Sequence, residues 1–422
     1  MNIWKQAPPI HPIDHIAFRM PEVMVLPNGI RVYVVQGGAQ EILKVEWIFK
    51  AGRWYEDAPS VARATAKLLT EGTTHRTGKE IAETVEYYGA ELYASAGWDT
   101  ASVQLYTLSK YVQELLPIVQ EILTEPAFTA HDLSVFVKKN LHQLQIDAEK
   151  TDSIAYKEIT AQLFGSQHPY GYNSTAENYQ QLTPAMLRSH FERYYLCSDT
   201  TIIVSGLVTP LVIEALTACF GSVALRPAQQ KTHLAASVEA PHYTHLPKPS
   251  AVQSAIRIGK PLFAKHDAQF PNFWILNTAL GGYFGSRLMT NLREDKGLTY
   301  GIYSTVDAFA QGGCFYIAAE VNKENVSLAL AEIRNELEAL INTPLGEEEL
   351  HVLKSYLMGS LLMSLDGAMN ISEVVKNSVI HGLPLTYFEE LVSSIRGVTP
   401  EQLQALASEH LQPHQLITVV AG

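Results

Sequence analysis

Cysteine is scarce in this chain of 422 residues: there are three, Cys197, Cys219 and Cys314. They are far apart, odd in number and form no CxxC. That excludes a disulfide framework and a cysteine-rich zinc site, and predicts three buried free thiols. Long apolar runs are missing too. No window approaches the ~18 uninterrupted apolar residues of a membrane helix. The opening MNIWKQAPPIHPIDH has neither the basic start nor the apolar run of a signal peptide, so a cytoplasmic chain without a membrane partner is expected. Positive charge is in deficit, with 31 basic against 43 acidic residues and a net charge of −12. Nucleic acid is therefore a poor partner, although a basic cleft inside an acidic body is compatible with that average. No GxSxG elbow occurs, and no GK[ST] accompanies Gly281-Gly282 and Gly285. Serine-hydrolase and P-loop chemistry lack their motifs.

What is present is a globular composition, 47% hydrophobic and 18% charged. The length suits two domains of about 200 residues each. LTPAMLRSHFERYYLCSDTTIIVSG (182–206) aligns without a gap to VTPEQLQALASEHLQPHQLITVVAG (398–422). Each copy reads as a Thr N-cap, a first-turn Pro, a helix, and then a β-branched strand. FTAHDLSVFVKKNL (128–141) and PLGEEELHVLKSYL (344–357) repeat at the same spacing, each an acidic helix start running into an apolar-periodic helix. An internal duplication is expected.

The first lobe is placed at 1–222, a Pro- and polar-rich linker at 223–250, and the second lobe at 251–422. In the first half, 29–35, 44–49 and about 100–107 read as strands. Stretches 60–71 (ended by Gly72), 78–88, 109–124 and 131–150 read as helices. This order predicts an α+β fold of two similar lobes, each a largely antiparallel sheet with helices packed on one face.

The segment 51–110 resembles the pitrilysin/insulinase family of zinc peptidases, which includes the mitochondrial processing peptidase. The match rests on Gly52 to Glu56, Glu71-Gly72-Thr73, Gly89-Ala90 with Ala94, and FGSQHPYG at 164–171. The resemblance implies two processing-peptidase-like lobes closing around a substrate chamber. It also implies a zinc motif H-x-x-E-H on the helix before Gly72. The matching positions here are Arg63, Ala66 and Lys67, and no HxxEH or HExxH occurs anywhere. The family's third ligand, a Glu on the following long helix, has no counterpart between Phe136 and Ile146, where Asn140, His142 and Gln143 stand. Arg offers no lone pair, and Arg63 with Lys67 one turn later would repel a dication. No metal and no catalytic residue of its own are expected in this chain.

The second half keeps what the first has lost. GGYFGSRLMTNLREDKGLTYGIYSTVDAF (281–309) resembles the family's C-terminal signature. Its helix should run to about Asp295 and end at Gly297, with a strand over Leu298–Ser304. The resemblance implies that Arg293 and Tyr300 grip substrate across the chamber. Both are donors suited to a peptide carbonyl gaining charge. On the residues alone, a helix-capping Arg and a half-buried core Tyr serve equally well.

Other motifs are bland. His11-Pro12-Ile13-Asp14-His15 has H-x-x-D-H spacing in a Pro-rich tail and reads as solvated. His168-Pro169-Tyr170-Gly171 reads as a structural turn. His242 and His245 have no third ligand near them, and Asn173-Ser174-Thr175 is a sequon relevant only to a secreted chain.

The expectation is a non-catalytic subunit, inactive alone, that supplies Arg293 and Tyr300 to a homologous HxxEH subunit holding the zinc. Together they would hydrolyse peptides or unfolded polypeptides. The alternative is a purely structural or binding subunit, which predicts Arg293 and Tyr300 packed away from any chamber. A homodimer of the isolated chain stays open.

Overall fold

The computed structural model describes residue 13 and residues 16–232, 234–238 and 240–422. His11, Asp14 and His15 of the H-x-x-D-H spacing lie outside the described residues.

The strands form two sheets. The first holds β1 (Glu22–Val25), β2 (Arg31–Gln36), β3 (Ile42–Phe49), β4 (Glu91–Ala96), β5 (Ala101–Leu108) and β6 (Thr201–Gly206), in the spatial order β1-β2-β6-β3-β5-β4. The second holds β7 (Tyr243–Leu246), β8 (Gln253–Leu262), β9 (Ile302–Phe309), β10 (Gly312–Asn322) and β11 (Ile417–Ala421), in the order β7-β11-β8-β10-β9. Each sheet is antiparallel except for one parallel pair, β2 with β6 and β7 with β11. The α+β reading and the largely antiparallel sheets agree with the sequence.

The first half carries α1 (Val61–Leu68), α2 (Gly78–Tyr87), α3 (Val112–Thr124), α4 (Ala130–Asp147), α5 (Thr151–Phe164), α6 (Ala176–Gln180), α7 (Pro184–Tyr194) and α8 (Pro210–Phe220). The second carries α9 (Phe270–Asn277), α10 (Val326–Asn342), α11 (Glu347–Met363), α12 (Gly367–His381), α13 (Tyr387–Gly397) and α14 (Pro400–His410). The two Thr-Pro helix starts form as read. Thr183 Oγ1 accepts from the Met186 amide, and Thr399 makes a full capping box with Gln402.

The expectation that helices cover one face of each sheet is incomplete. β3 is buried on both faces after its first residue. Leu43, Val45, Trp47 and Phe49 join the core of the first half, whereas Ile48 joins Val35 and Ile203 in the core built mainly by the second half. The cover on that second face is α12, which packs on β2 and β6. In return, α5 packs on β8 and β11 of the second sheet. Its Ala155, Ile159 and Leu163, spaced four apart, are fully buried there. Burying each of the larger two contributes about 1.5–3 kcal/mol. Each half thus lends one helix to the other's sheet.

Buried charge marks both exchanges. On β3, Lys44 and Glu46 are buried 2.9 Å apart, and Lys376 of α12 reaches Glu46 at 2.5 Å. Burial pulls the Lys44 ammonium down, but Glu373 of α12 and Glu46 outweigh it and its pKa is raised. On β8, buried Arg257 pairs with Asp152 of α5. An unpaired charge at either place would be costly, so each helix is held to one position on its sheet.

Three local expectations need correction. Residues 243–246, placed in the linker, form β7, because their main-chain groups pair with β11. The strand expected from Leu298 starts at Ile302: the Leu298 amide turns back to the Leu292 carbonyl at 2.8 Å, and Thr299 Oγ1 bonds both Gly301 and Glu320. Cys219 is only half-buried, while Cys197 and Cys314 are buried thiols.

Candidate functional site

The Arg63, Ala66 and Lys67 helix is anchored at its start by a buried cluster. Glu56 Oε2 accepts from the Ala62 amide at 3.0 Å in the first turn of α1, and the Tyr172 hydroxyl donates to the same carboxylate. The Arg53 guanidinium lies 3.3 Å over the Tyr172 ring and 4.7 Å from that of Trp98. Burial pushes Glu56 up to about 7, against the pull of Tyr172, Ala62 and Arg53. The helix ends in a tight turn over Leu69–Glu71, and Gly72 follows at φ 151°, a conformation suited to glycine.

Val61, Ala62, Ala64, Thr65, Ala66 and Leu68 are buried, which leaves Arg63 and Lys67 exposed on one face. That face lines a cavity of about 670 Å³. Opposite stand Lys139, Asn140 and Gln143 of α4, and Ala94, Ser95 and Ala96 of β4 form another wall. Two of the expected metal-motif positions therefore meet the α4 residues, and buried Ala66 does not line the space. His142 is not brought in; it lines a groove with Gln145 and Gln180.

This donor set does not fit a zinc ion. Arg63 and Lys67 are cations and offer no lone pair; α4 contributes Lys139, two amides, His131 and Asp132, and among the described residues these last two do not join Glu71 in a group that could hold a metal. The carboxylates on the rim are already engaged. Glu71 lies 3.3 Å from Lys67 Nζ, and Asp132 bonds Thr129 at the start of α4. Arg63 bonds the Tyr179 hydroxyl at 3.4 Å and has no carboxylate partner among the described residues; nor has Lys139. Lys139 was not singled out in the sequence, although its spacing of four from Gln143 puts both on one helix face.

Arg293 lies in the last turn of a helical segment, and Tyr300 lies beyond that turn, just before β9. Arg293 falls within Met289–Asp295, which is wound as a π-helix, and the Lys296 amide bonds the Asn291 carbonyl five residues back at 3.1 Å. Such wide turns recur at functional sites. The inner face is fixed by buried Leu288 and Leu292, by the two-pronged Arg287–Glu349 pair at 2.7 and 2.8 Å, and by Lys296 at 2.6 Å from Glu332. Gly297 closes the turn at φ 60°. Both residues of interest are exposed, Tyr300 at 89%. Arg293 sits 5.0 Å from the ring of Phe284, itself 58% exposed, and no sequence signal pointed to that ring. The half-buried core alternative does not describe Tyr300, whereas Arg293 is the basic residue of its helix's last turn, as the helix-end alternative has it. A guanidinium, a phenol and an aromatic ring presented to solvent from a braced turn can donate to a backbone carbonyl and cover an apolar side chain.

The remaining motifs are structural or unassembled. His168 and Tyr170 are buried against Trp54 and Phe164 at the junction of the halves. His245 Nε2 contacts the Gly422 carbonyl at 3.2 Å. Among the described residues no cluster of three His, Cys, Asp or Glu could hold a metal, and no helix is long and apolar enough to cross a membrane.

Comparison with known proteins agrees with this geometry. Residues 41–170 match the family model of insulinase, peptidase family M16, and residues 181–357 match that of the peptidase M16 inactive domain. An uncharacterized zinc protease of Bacillus subtilis, YmxG, is 22% identical over 90% of this chain and 93% of its own length. A non-peptidase homolog of Helicobacter pylori is 22% identical over 86% of this chain and 84% of its own. The crystal structure of a peptidase M16 inactive domain from Pseudomonas fluorescens superposes with a TM-score of 0.87 and 26% identity, covering 95% of this chain and 98% of that one.

Proposed function

Because the chain belongs to the peptidase M16 (insulinase) family, as a member of its inactive kind, we propose that it is the zinc-free subunit of a two-subunit metalloendopeptidase. A homologous HxxEH subunit holds the zinc and the general base. This chain contributes Arg293 and Tyr300, which donate to the backbone of a peptide or unfolded polypeptide at the partner's metal. When bound there, the zinc activates water and polarises the scissile carbonyl.

One asymmetry carries the proposal. Cations stand at the metal-ligand positions, while Arg293 and Tyr300 keep their spacing and are exposed, Arg293 on a braced π-turn and Tyr300 just beyond it. A subunit kept only for structure would have no physical reason to brace those two side chains in solvent. Their exposure favours this reading over a purely structural role, which predicts them packed away.

The test is reconstitution with a co-expressed HxxEH homologue. The expected result is chelator-sensitive cleavage of an unfolded polypeptide by the pair and none by this chain alone. Arg293→Ala and Tyr300→Phe should each lower kcat/KM of the pair at least about tenfold, as loss of a transition-state donor does. Unchanged cleavage with both substitutions would sink the shared site, and chelator-sensitive cleavage by this chain alone would sink the proposal as a whole.

A further inference from the structure

Three cations line the α1–α4 cavity, Arg63, Lys67 and Lys139, against two carboxylates, Glu71 and Asp132, in a protein of net charge −12. Lys67 pairs with Glu71 and Asp132 bonds the Thr129 hydroxyl, while Arg63 and Lys139 are in no ion pair among the described residues. Around them the walls are apolar: Leu68 from α1, Val135 and Phe136 from α4. The buried Asn140 also reaches this space, its amide nitrogen already given to the Phe136 carbonyl at 2.8 Å. β4 runs along the cavity through Ala94–Ala96 and among the described residues pairs only with β5, which leaves its outer main-chain edge open.

We infer that the cavity at the metal-motif positions is an anion site for the carboxylate of a peptide. Arg63 offers a planar fork that matches a carboxylate two-pronged, and Lys139 adds a second charge from the facing helix. Three cations against two carboxylates leave a surplus of about one charge, which suits one carboxylate and not a polyanion, which the acidic body would repel. The apolar walls take the neighbouring side chains, and the open edge of β4 offers main-chain hydrogen bonds. A metal cavity with its charge reversed thus holds the anionic end of a peptide. The carboxylate can be a peptide C-terminus or an Asp or Glu side chain. The site lies wholly within this chain, so the inference stands or falls separately from the shared catalytic site.

Retention of randomised octapeptides by the immobilised full-length chain tests it, read by mass spectrometry. Four libraries are needed: C-terminal acids and C-terminal amides, each made with and without Asp and Glu. The expected result is at least about tenfold enrichment of carboxylate-bearing peptides over the amide library lacking Asp and Glu, lost in Arg63→Gln/Lys139→Gln. Enrichment of the acid library lacking Asp and Glu identifies the C-terminus as the source; enrichment of the amide library containing them identifies the side chain. Both substituted residues are exposed, so an unchanged melting temperature verifies the fold of the variant. Equal retention of all four libraries overturns the inference. So does enrichment that survives the double substitution, or binding of inorganic phosphate at this site with no peptide retained.

Discussion

The carboxylate of Asp99 accepts a 2.9 Å hydrogen bond from the amide of Ala310. Asp99 sits in the turn between β4 and β5, and Ala310 sits in the turn between β9 and β10. The tips of two corresponding hairpins are therefore joined across the halves. The buried Tyr170 hydroxyl donates to the same carboxylate, and Trp98 packs 5.2 Å from Phe309 beside it. Asp99→Ala leaves a buried phenol and an amide without their acceptor. It should cost about 2–4 kcal/mol in denaturant unfolding. Asp99→Asn keeps one acceptor oxygen and should cost less. Faster amide exchange at Ala310 in the alanine variant would report the loosened junction, and unchanged exchange would mean the contact does not hold the halves.

The Lys44–Glu46–Lys376 cluster under α12 should be the more sensitive tie. Glu46→Gln leaves two neighbouring ammonium groups with only half-exposed Glu373 to balance them. A loss of about 3–5 kcal/mol is expected, because an uncompensated buried charge is left behind. Lys44→Met together with Glu46→Leu should recover part of it. Amides of α12 should exchange before those of α9. Stability within error of the parent chain for Glu46→Gln would refute the role given to this cluster.

Two buried groups, Glu56 and His190, shift stability with pH in opposite directions. Glu56 is held at about 7 in the fold and titrates near 4.3 in an unfolded chain. Between these values the folded chain keeps a proton that the unfolded chain has released, so this contribution falls as pH rises from about 4.3 to about 7. His190 acts in reverse. Burial pulls it to about 4, below its unfolded value of about 6.5, so stability is lost as pH falls between those values. Glu56→Gln removes only the first part. Relative to the parent chain, its stability should rise by about 2 kcal/mol from pH 5 to pH 7. Urea titrations at both pH values decide the matter, and parallel behaviour of the two chains would show that Glu56 is not titrating there.

Arg293 and Tyr300 should separate function from stability. Both are exposed and neither is part of a core, so Arg293→Ala and Tyr300→Phe should each change unfolding free energy by no more than about 0.5 kcal/mol. A large loss of stability would mean that the residues are structural, and would remove the ground for reading any activity loss as chemistry.

The cavity also predicts a gain of metal. Arg63→His, Lys67→His and Gln143→Glu together place two imidazoles one helical turn apart opposite a carboxylate. The triple variant should bind zinc stoichiometrically, measured by elemental analysis after dialysis, where the parent chain retains none. If the variant also retains none, the facing of α1 and α4 is too loose or too wide for a tetrahedral site.

Much of this protein was decided by local sequence. The Thr-Pro caps at 183–184 and 399–400 and the Gly72 and Gly297 stops depend on neighbours in the chain, and all form as their residues dictate. The replacement of a zinc motif by Arg63, Ala66 and Lys67 is likewise a property of the sequence. Contacts between distant residues decided the rest. Lys44 and Glu46 look like solvent-facing positions of a half-buried strand until α12 of the other half covers them. Leu298–Ser304 has strand-forming residues, but the turn-back to Leu292 takes the first four out of the ladder. Lys139 is one lysine among many until α4 sets it across a cavity from Arg63. Periodicity states which side of an element is apolar. Only the packed chain states what lies against it, because burial, pairing and electric field depend on residues brought together from separate elements of the chain.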